Sequence, residues 1–201
     1  MEKNITNSKK GGDILTGLKV LLIDNGSDTL DEYLTLLNKH KVKTISFRDI
    51  ESCDFSRYQL IVLSDGHSVN VSKNIDEINL VRRVSIPVIG ICYGFQALCF
   101  AYGAKLVELS EKREGLIKII PEIKHPIFPR HESFLASEKH RFAVQSIPET
   151  LSCLAQSQDG CEIVQVKGKQ QFGLQFHPEN TNSQNDGKKI FNNLVKFIFS
   201  T

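Results

Sequence analysis

Apolar positions fall into runs separated by turn residues, and the runs change character midway along the chain. Leu18–Ile23 (LKVLLI) is an almost unbroken apolar run that ends at Asp24-Asn25-Gly26. Such a run predicts a strand buried on both faces of a parallel sheet, where alternation with polar residues disappears. Leu30, Tyr33, Leu34 and Leu37 then recur at helical spacing, with Ser27 or Asp28 as the expected N-cap. Val42–Phe47, Gln59–Leu63 and Pro87–Ile91 predict three further strands, the last two stopping at Ser64-Asp65-Gly66 and at Cys92. Residues 73–83 and 96–102 read as helices, the second halted by Gly103. Strand alternating with helix predicts an α/β fold of three layers, a mostly parallel central sheet with helices on both faces. The second half differs. Residues 104–120, 141–145, 151–156, 161–167 and 171–176 predict short antiparallel strands, punctuated by Gly160, Gly168 and Gly173. Residues 121–140, with three prolines, read as irregular, and Lys188–Ile198 as a closing amphipathic helix. Residues 1–17 are expected to be a flexible polar lead, and 18–201 one domain.

Composition narrows the function classes. Of 201 residues, 40% are hydrophobic and 24% charged, ordinary for a globular domain. The net charge of +2 gives no bulk attraction to nucleic acid or to a membrane surface, so neither is expected as a partner. No apolar run has the length of a membrane span; residues 190–200 are too few and contain Lys196. The N-terminal residues lack the apolar core of a secretory signal. Five cysteines are present, at 53, 92, 99, 153 and 161. An odd count without such a signal predicts free thiols in a reducing, cytoplasmic setting.

Two segments carry chemistry. Gly90-Ile91-Cys92-Tyr93-Gly94 runs from a predicted buried strand straight into a helix. This is the pattern of a nucleophile elbow, with Cys in the nucleophile position. The sharp turn requires small residues on both sides, which Gly90 and Gly94 supply. It sets the Cys92 sulfur at the carboxyl edge of the sheet and at a helix N-terminus, which favours thiolate. The second segment is Gln175-Phe176-His177-Pro178-Glu179. His177 stands at a strand end, Pro178 stiffens the turn, and Glu179 can hold the imidazole in one tautomer. Cys92 and His177 lie far apart in sequence, yet strand ends in a parallel sheet share one edge, where active sites gather.

With these residues in place, the chain resembles the class I (triad) glutamine amidotransferases. The resemblance rests on Gly90-Ile91-Cys92-Tyr93-Gly94-Phe95-Gln96, on Gly173-Leu174-Gln175-Phe176-His177-Pro178-Glu179, and on the strand-then-glycine segment Ile61–Gly66. It covers residues 18 to about 198. It implies a glutaminase fold with a Cys92–His177–Glu179 triad, an oxyanion hole from the backbone N–H groups of Gly66 and Tyr93, and contact of Gln96 with bound glutamine. The implied reaction is attack of Cys92 on the glutamine side-chain amide, release of ammonia, and hydrolysis of the thioester to glutamate. No metal or organic cofactor is expected; His67, His125 and His131 form no ligand set with a carboxylate.

Within the family, Tyr93 after the nucleophile resembles the glutaminases of GMP synthetases. So does Lys139-His140-Arg141-Phe142-Ala143-Val144, which implies a substrate-side role for His140. Two positions depart from the pattern: Phe142 stands where those glutaminases carry Asp, and Ser64-Asp65-Gly66-His67 replaces a Ser-Gly-Gly-Pro loop. With no phosphate-binding loop in the sequence, the ammonia acceptor is expected on a separate ATP-dependent synthetase subunit. Two alternatives stay open at this point: a stand-alone γ-glutamyl amide or peptide hydrolase, and a non-catalytic regulatory subunit.

Overall fold

The structure, a computed structural model, describes residues 15–67, 69–128 and 130–200. Most of the expected polar lead lies outside the described residues. The first half alternates strand and helix: β1 (Lys19–Asn25), α1 (Leu30–Leu36), β2 (Lys41–Ser46), β3 (Leu60–Gly66), α2 (Ile75–Arg83), β4 (Val88–Ile91) and α3 (Tyr93–Ala101). The second half holds β5 (Val107–Pro121), β6 (Phe134–Ala143), β7 (Leu151–Ser157), β8 (Gly160–Val166), β9 (Gln171–Leu174) and α4 (Gly187–Ser200). One nine-stranded sheet forms, in the order β2-β1-β3-β4-β9-β8-β7-β5-β6. Pairs from β2 to β9 are parallel, and pairs from β9 to β6 antiparallel.

The apolar runs explain the layering. Val20 and Leu22 of β1 face one core, with Tyr33, Leu36 and Leu37 at α1 and Ile190, Phe191 and Leu194 of α4. Leu21 and Ile23 face the other, with Ile78 and Val81 of α2 and Phe95 and Leu98 of α3. Successive side chains of a strand point to opposite faces, so a strand covered on both sides must be apolar at every position. All four β1 residues are fully buried, and each contributes roughly 1.5–3 kcal/mol of transfer free energy.

Several local expectations are corrected. The cap of α1 is Thr29, without a side-chain hydrogen bond, rather than Ser27 or Asp28. Asp24 Oδ1 accepts from the N–H groups of Gly26 and Ser27, and Ser27 Oγ from that of Thr29, which forms a tight turn ahead of the helix. The helix expected at 96–102 begins at Tyr93, directly after Cys92. The irregular segment ends at residue 133: β6 starts at Phe134, not at 141, and β5 and β6 are long rather than short. Positions 136, 138 and 140 of β6 all point inward, but two of them are Glu138 and His140, so the apolar alternation that marks a strand is missing. The expectation of five free thiols also fails. Cys153 and Cys161, on the antiparallel neighbours β7 and β8, form a disulfide with Cα atoms 5.9 Å apart, which leaves Cys53, Cys92 and Cys99 free. Among the described residues no helix is long and apolar enough to cross a membrane.

Candidate active site

The parallel pairing of β4 and β9 brings the two sequence motifs together. Gly90 pairs with Gly173 and Ile91 with Leu174, so Cys92 and Gln175 leave adjacent strands at the same edge. The Cys92 N–H donates to the Leu174 carbonyl at 2.8 Å, and the chain then turns into α3. Cys92 has φ 50°, ψ −98°, and it is the one non-glycine residue with positive φ among those described. Strained backbone of this kind persists only where packing enforces it. Here a Cβ on Gly90 would stand 2.4 Å from the Gly94 carbonyl oxygen, and one on Gly94 would stand 2.6 Å from the Leu63 backbone oxygen. Only glycines let β3, β4 and α3 approach closely enough to form the elbow.

Cys92 is 7% exposed and faces a cavity of about 1240 Å³ whose wall includes Gly66, His67, Tyr93, Gln96, His177 and Glu179. His177 Nδ1 lies 2.6 Å from Glu179 Oε1, so the carboxylate accepts the Nδ1 hydrogen and turns Nε2 outward as the basic nitrogen. Nε2 is buried, and the group it interacts with is the Cys92 side chain. The loop is clamped: the His177 N–H donates to the Ser137 carbonyl at 2.8 Å, and Asn185 Nδ2 donates to the His177 carbonyl at 2.9 Å. Burial disfavours a charged imidazole. The negative charge of Cys92 and the Glu179 contact outweigh it and hold His177 well above the ordinary histidine value.

The other expected site residues divide into two groups. Tyr93 is the first residue of α3, where a backbone N–H has no partner within the helix. Gly66 ends β3 beside Asn25; a Cβ there would meet the Asn25 carbonyl oxygen at 2.2 Å. Side chains fix this loop: Asn25 N–H donates to Ser64 Oγ, Asn25 Nδ2 to the Ser64 carbonyl, and Asp65 N–H to the Tyr33 hydroxyl. Gln96 is nearly buried, with Nε2 3.1 Å from the Phe142 carbonyl and 3.4 Å from Gln175 Oε1. His140 points both ring nitrogens at its own wall, Nδ1 toward the Phe142 carbonyl at 2.9 Å and Nε2 toward Glu138 at 3.2 Å. His67 lines the cavity, while His125 packs on Phe197 and His131 is exposed.

Three further polar residues stand close to these groups. Gln175 lies inside the second motif, and its Nε2 is 3.8 Å from Cys92 Sγ. Glu138 and Glu162 are 1% exposed, and burial raises both carboxyls, Glu138 to about 7. A further buried group braces the floor. Glu77 accepts from Asn74 Nδ2 at 3.1 Å and Asn25 Nδ2 at 3.4 Å, and Asn74 also reaches the Tyr93 hydroxyl at 3.3 Å. Burial pushes Glu77 up to about 8.

Comparison with known proteins identifies the family. The profile of the family described as Glutamine amidotransferase class-I matches residues 21–197. The glutamine-hydrolysing GMP synthase subunit of Methanocaldococcus jannaschii is 29% identical over 188 residues, 88% of this chain and 96% of that protein. Its counterpart in Methanococcus vannielii is 34% identical over 138 residues, 68% of this chain and 71% of that one. A crystal structure of a Thermoplasma acidophilum protein, described as a candidate GMP synthase subunit, superposes with TM-score 0.79 at 24% identity, over 92% of this chain and 96% of that one.

Proposed function

The chain belongs to the class I glutamine amidotransferase family, and we propose that it is the glutamine-hydrolysing subunit of a two-chain GMP synthase. The observation that carries this reading is the Cys92 elbow facing the His177–Glu179 pair in one cavity. Support for the acceptor comes from the archaeal GMP synthase relatives, which the chain matches along most of their length.

The proposed chemistry uses these groups in turn. His177 Nε2 takes the Cys92 proton, and the thiolate attacks the side-chain amide carbon of glutamine. Charge develops on the amide oxygen, where the N–H groups of Tyr93 and Gly66 are the proposed donors; loss of one such donor costs about 2.7–4 kcal/mol of barrier. His177 then protonates the leaving nitrogen, and ammonia departs. Water, deprotonated by His177, attacks the thioester carbonyl; the C–S bond breaks, glutamate leaves and the Cys92 thiol is restored. Glu179 holds the Nδ1 hydrogen throughout and stabilises the imidazolium. Gln96 is proposed to contact the bound glutamine from the start of α3.

In this reading, ammonia made here is consumed by a separate ATP-dependent synthetase subunit in the cytoplasm. The test is glutaminase turnover, scored by glutamate and ammonia, with and without a GMP synthetase subunit from the same organism. Weak turnover alone, stimulated by that subunit together with GMP formation from glutamine, is expected. High turnover unaffected by any synthetase would point to a stand-alone hydrolase.

A further inference from the structure

A second set of ligating atoms, none of them from the triad, converges behind the wall of the cavity. Glu138 and His140 are two residues apart on β6 and so share a face, and Glu162 reaches the same point from β8. One carboxylate oxygen from each Glu and a ring nitrogen of His140 all lie within 4.8 Å of one another. The three residues are 1%, 4% and 1% exposed.

The surroundings prepare these atoms as ligands. A carbonyl can only accept, so His140 Nδ1 carries the hydrogen that it directs at Phe142, and Nε2 presents a lone pair to the carboxylates. A backbone carbonyl in that role is the usual orienting partner of a metal-bound histidine. Ser157 Oγ donates to Glu162 Oε1 at 2.7 Å and fixes that carboxylate. Glu162 Oε2 and Glu138 Oε1 are buried, and beyond the contact of the two carboxyls with each other they have no hydrogen-bond partner among the described residues. The neighbouring guanidinium of Arg113 is already taken, through Nε and Nη2, by both oxygens of Asp159 at 2.5 and 2.7 Å.

We propose that Glu138, His140 and Glu162 bind a divalent transition-metal cation of the zinc, manganese or ferrous class. Two carboxylates and one imidazole suit these ions, whereas calcium and magnesium favour all-oxygen shells. Glu138 and His140 line the large cavity, which gives an ion a route in and gives water access to the remaining coordination positions. The expectation of no metal rests on His67, His125 and His131 alone, and none of those three belongs to this cluster. The bound ion acts as a brace. His140 shares the Phe142 carbonyl with Gln96, Gln96 meets Gln175, and Gln175 reaches Cys92 Sγ, so fixing His140 fixes the wall behind the nucleophile.

The test uses the full chain carrying Cys92→Ser, which removes the thiolate as a competing ligand. Zn²⁺ and Mn²⁺ are titrated by calorimetry, and Co²⁺ by its visible absorption. The expected result is one site per chain, with Co²⁺ bands in the visible, weakened at least tenfold by Glu162→Gln. Glu138→Gln serves equally if the first variant does not fold. Anomalous scattering from a Zn²⁺-soaked crystal should place the ion between the three side chains. His177, Glu179 and Asp65 are also near one another. Binding that survives Glu162→Gln but disappears in His177→Ala would therefore belong to the triad and overturn the proposal. Absence of binding would overturn it too, leaving a proton shared between the two carboxyls.

Discussion

Gly90→Ala tests whether the elbow geometry, rather than the mere presence of a cysteine, makes the site. The new methyl would lie 2.4 Å from the Gly94 oxygen, 2.5 Å from its carbonyl carbon and 2.8 Å from the Phe95 nitrogen. Ordinary contact needs about 3.5 Å, so α3 must move away from β4 by about 1 Å. Every opposing atom is backbone, and no rotamer change can relieve the overlap. A displacement of that size in a reacting group costs about 10²-fold in rate. Overpacking adds about 1–3 kcal/mol of destabilisation, which a thermal melt will register. Gly173→Ala is the matched control. Its methyl meets Phe95 Cδ2 at 2.7 Å, Val164 Cγ2 at 3.1 Å and Phe95 Cα at 3.4 Å, so side-chain atoms rather than backbone take most of the overlap. The assay is kcat/KM for glutamine, with the alkylation rate of Cys92 by iodoacetamide as a second readout. Gly90→Ala should lose both, and Gly173→Ala should keep most of both. Wild-type kcat/KM in a folded Gly90→Ala protein would refute the elbow as the source of nucleophile placement.

Further outcomes follow from the triad and from the floor beneath it. Cys92→Ala and His177→Ala should each abolish turnover, and the double variant should be no worse than either alone, because the pair acts as a unit. Glu179→Gln removes the carboxylate 2.6 Å from His177 Nδ1, so kcat should fall far more than KM rises; an unchanged kcat would remove Glu179 from the triad. Glu77 is held protonated up to about pH 8 in the fold but ionises near 4.5 when unfolded. Its folded pKa is the higher one, so stability is full below about 4.5 and is lost as pH rises toward 8, by on the order of a few kcal/mol. In paired melts at pH 5 and pH 8, Glu77→Gln should lose less Tm than the wild type; equal losses would mean that Glu77 does not titrate in this window.

The parallel half of the fold is legible in the sequence because burial on both faces leaves no polar residue in Val20–Ile23, Leu60–Leu63 or Val88–Ile91, the cores of β1, β3 and β4. The elbow at Cys92 is legible for a steric reason, since the contacts of Gly90 and Gly94 leave room for no other residue. The start of α3 is not, because Tyr93-Gly94 is a weak helix sequence that tertiary packing holds in place. Nor is β6, whose inward positions include Glu138 and His140; the residues that hide the strand are the ones that form the second cluster. Glu162 carries no signal either, for a glutamate in a short strand reads as a solvent-facing position. The Cys153–Cys161 pairing depends on the register of β7 against β8, which cysteine counts do not contain.

The most direct test of the central claim is covalent capture of the nucleophile. The protein is treated with a diazoketone or chloroketone analogue of glutamine, with and without excess glutamine, and the modified peptide is identified by mass spectrometry. Cys92 faces the cavity at the α3 N-terminus. Cys99 is fully buried and Cys53 lies outside the cavity; burial pushes both of their thiols up. One adduct per chain, on Cys92 and suppressed by glutamine, is the predicted result. Adducts on Cys53 or Cys99, or labelling of Cys92 that glutamine does not protect, would contradict the assignment of this cavity as a glutamine site.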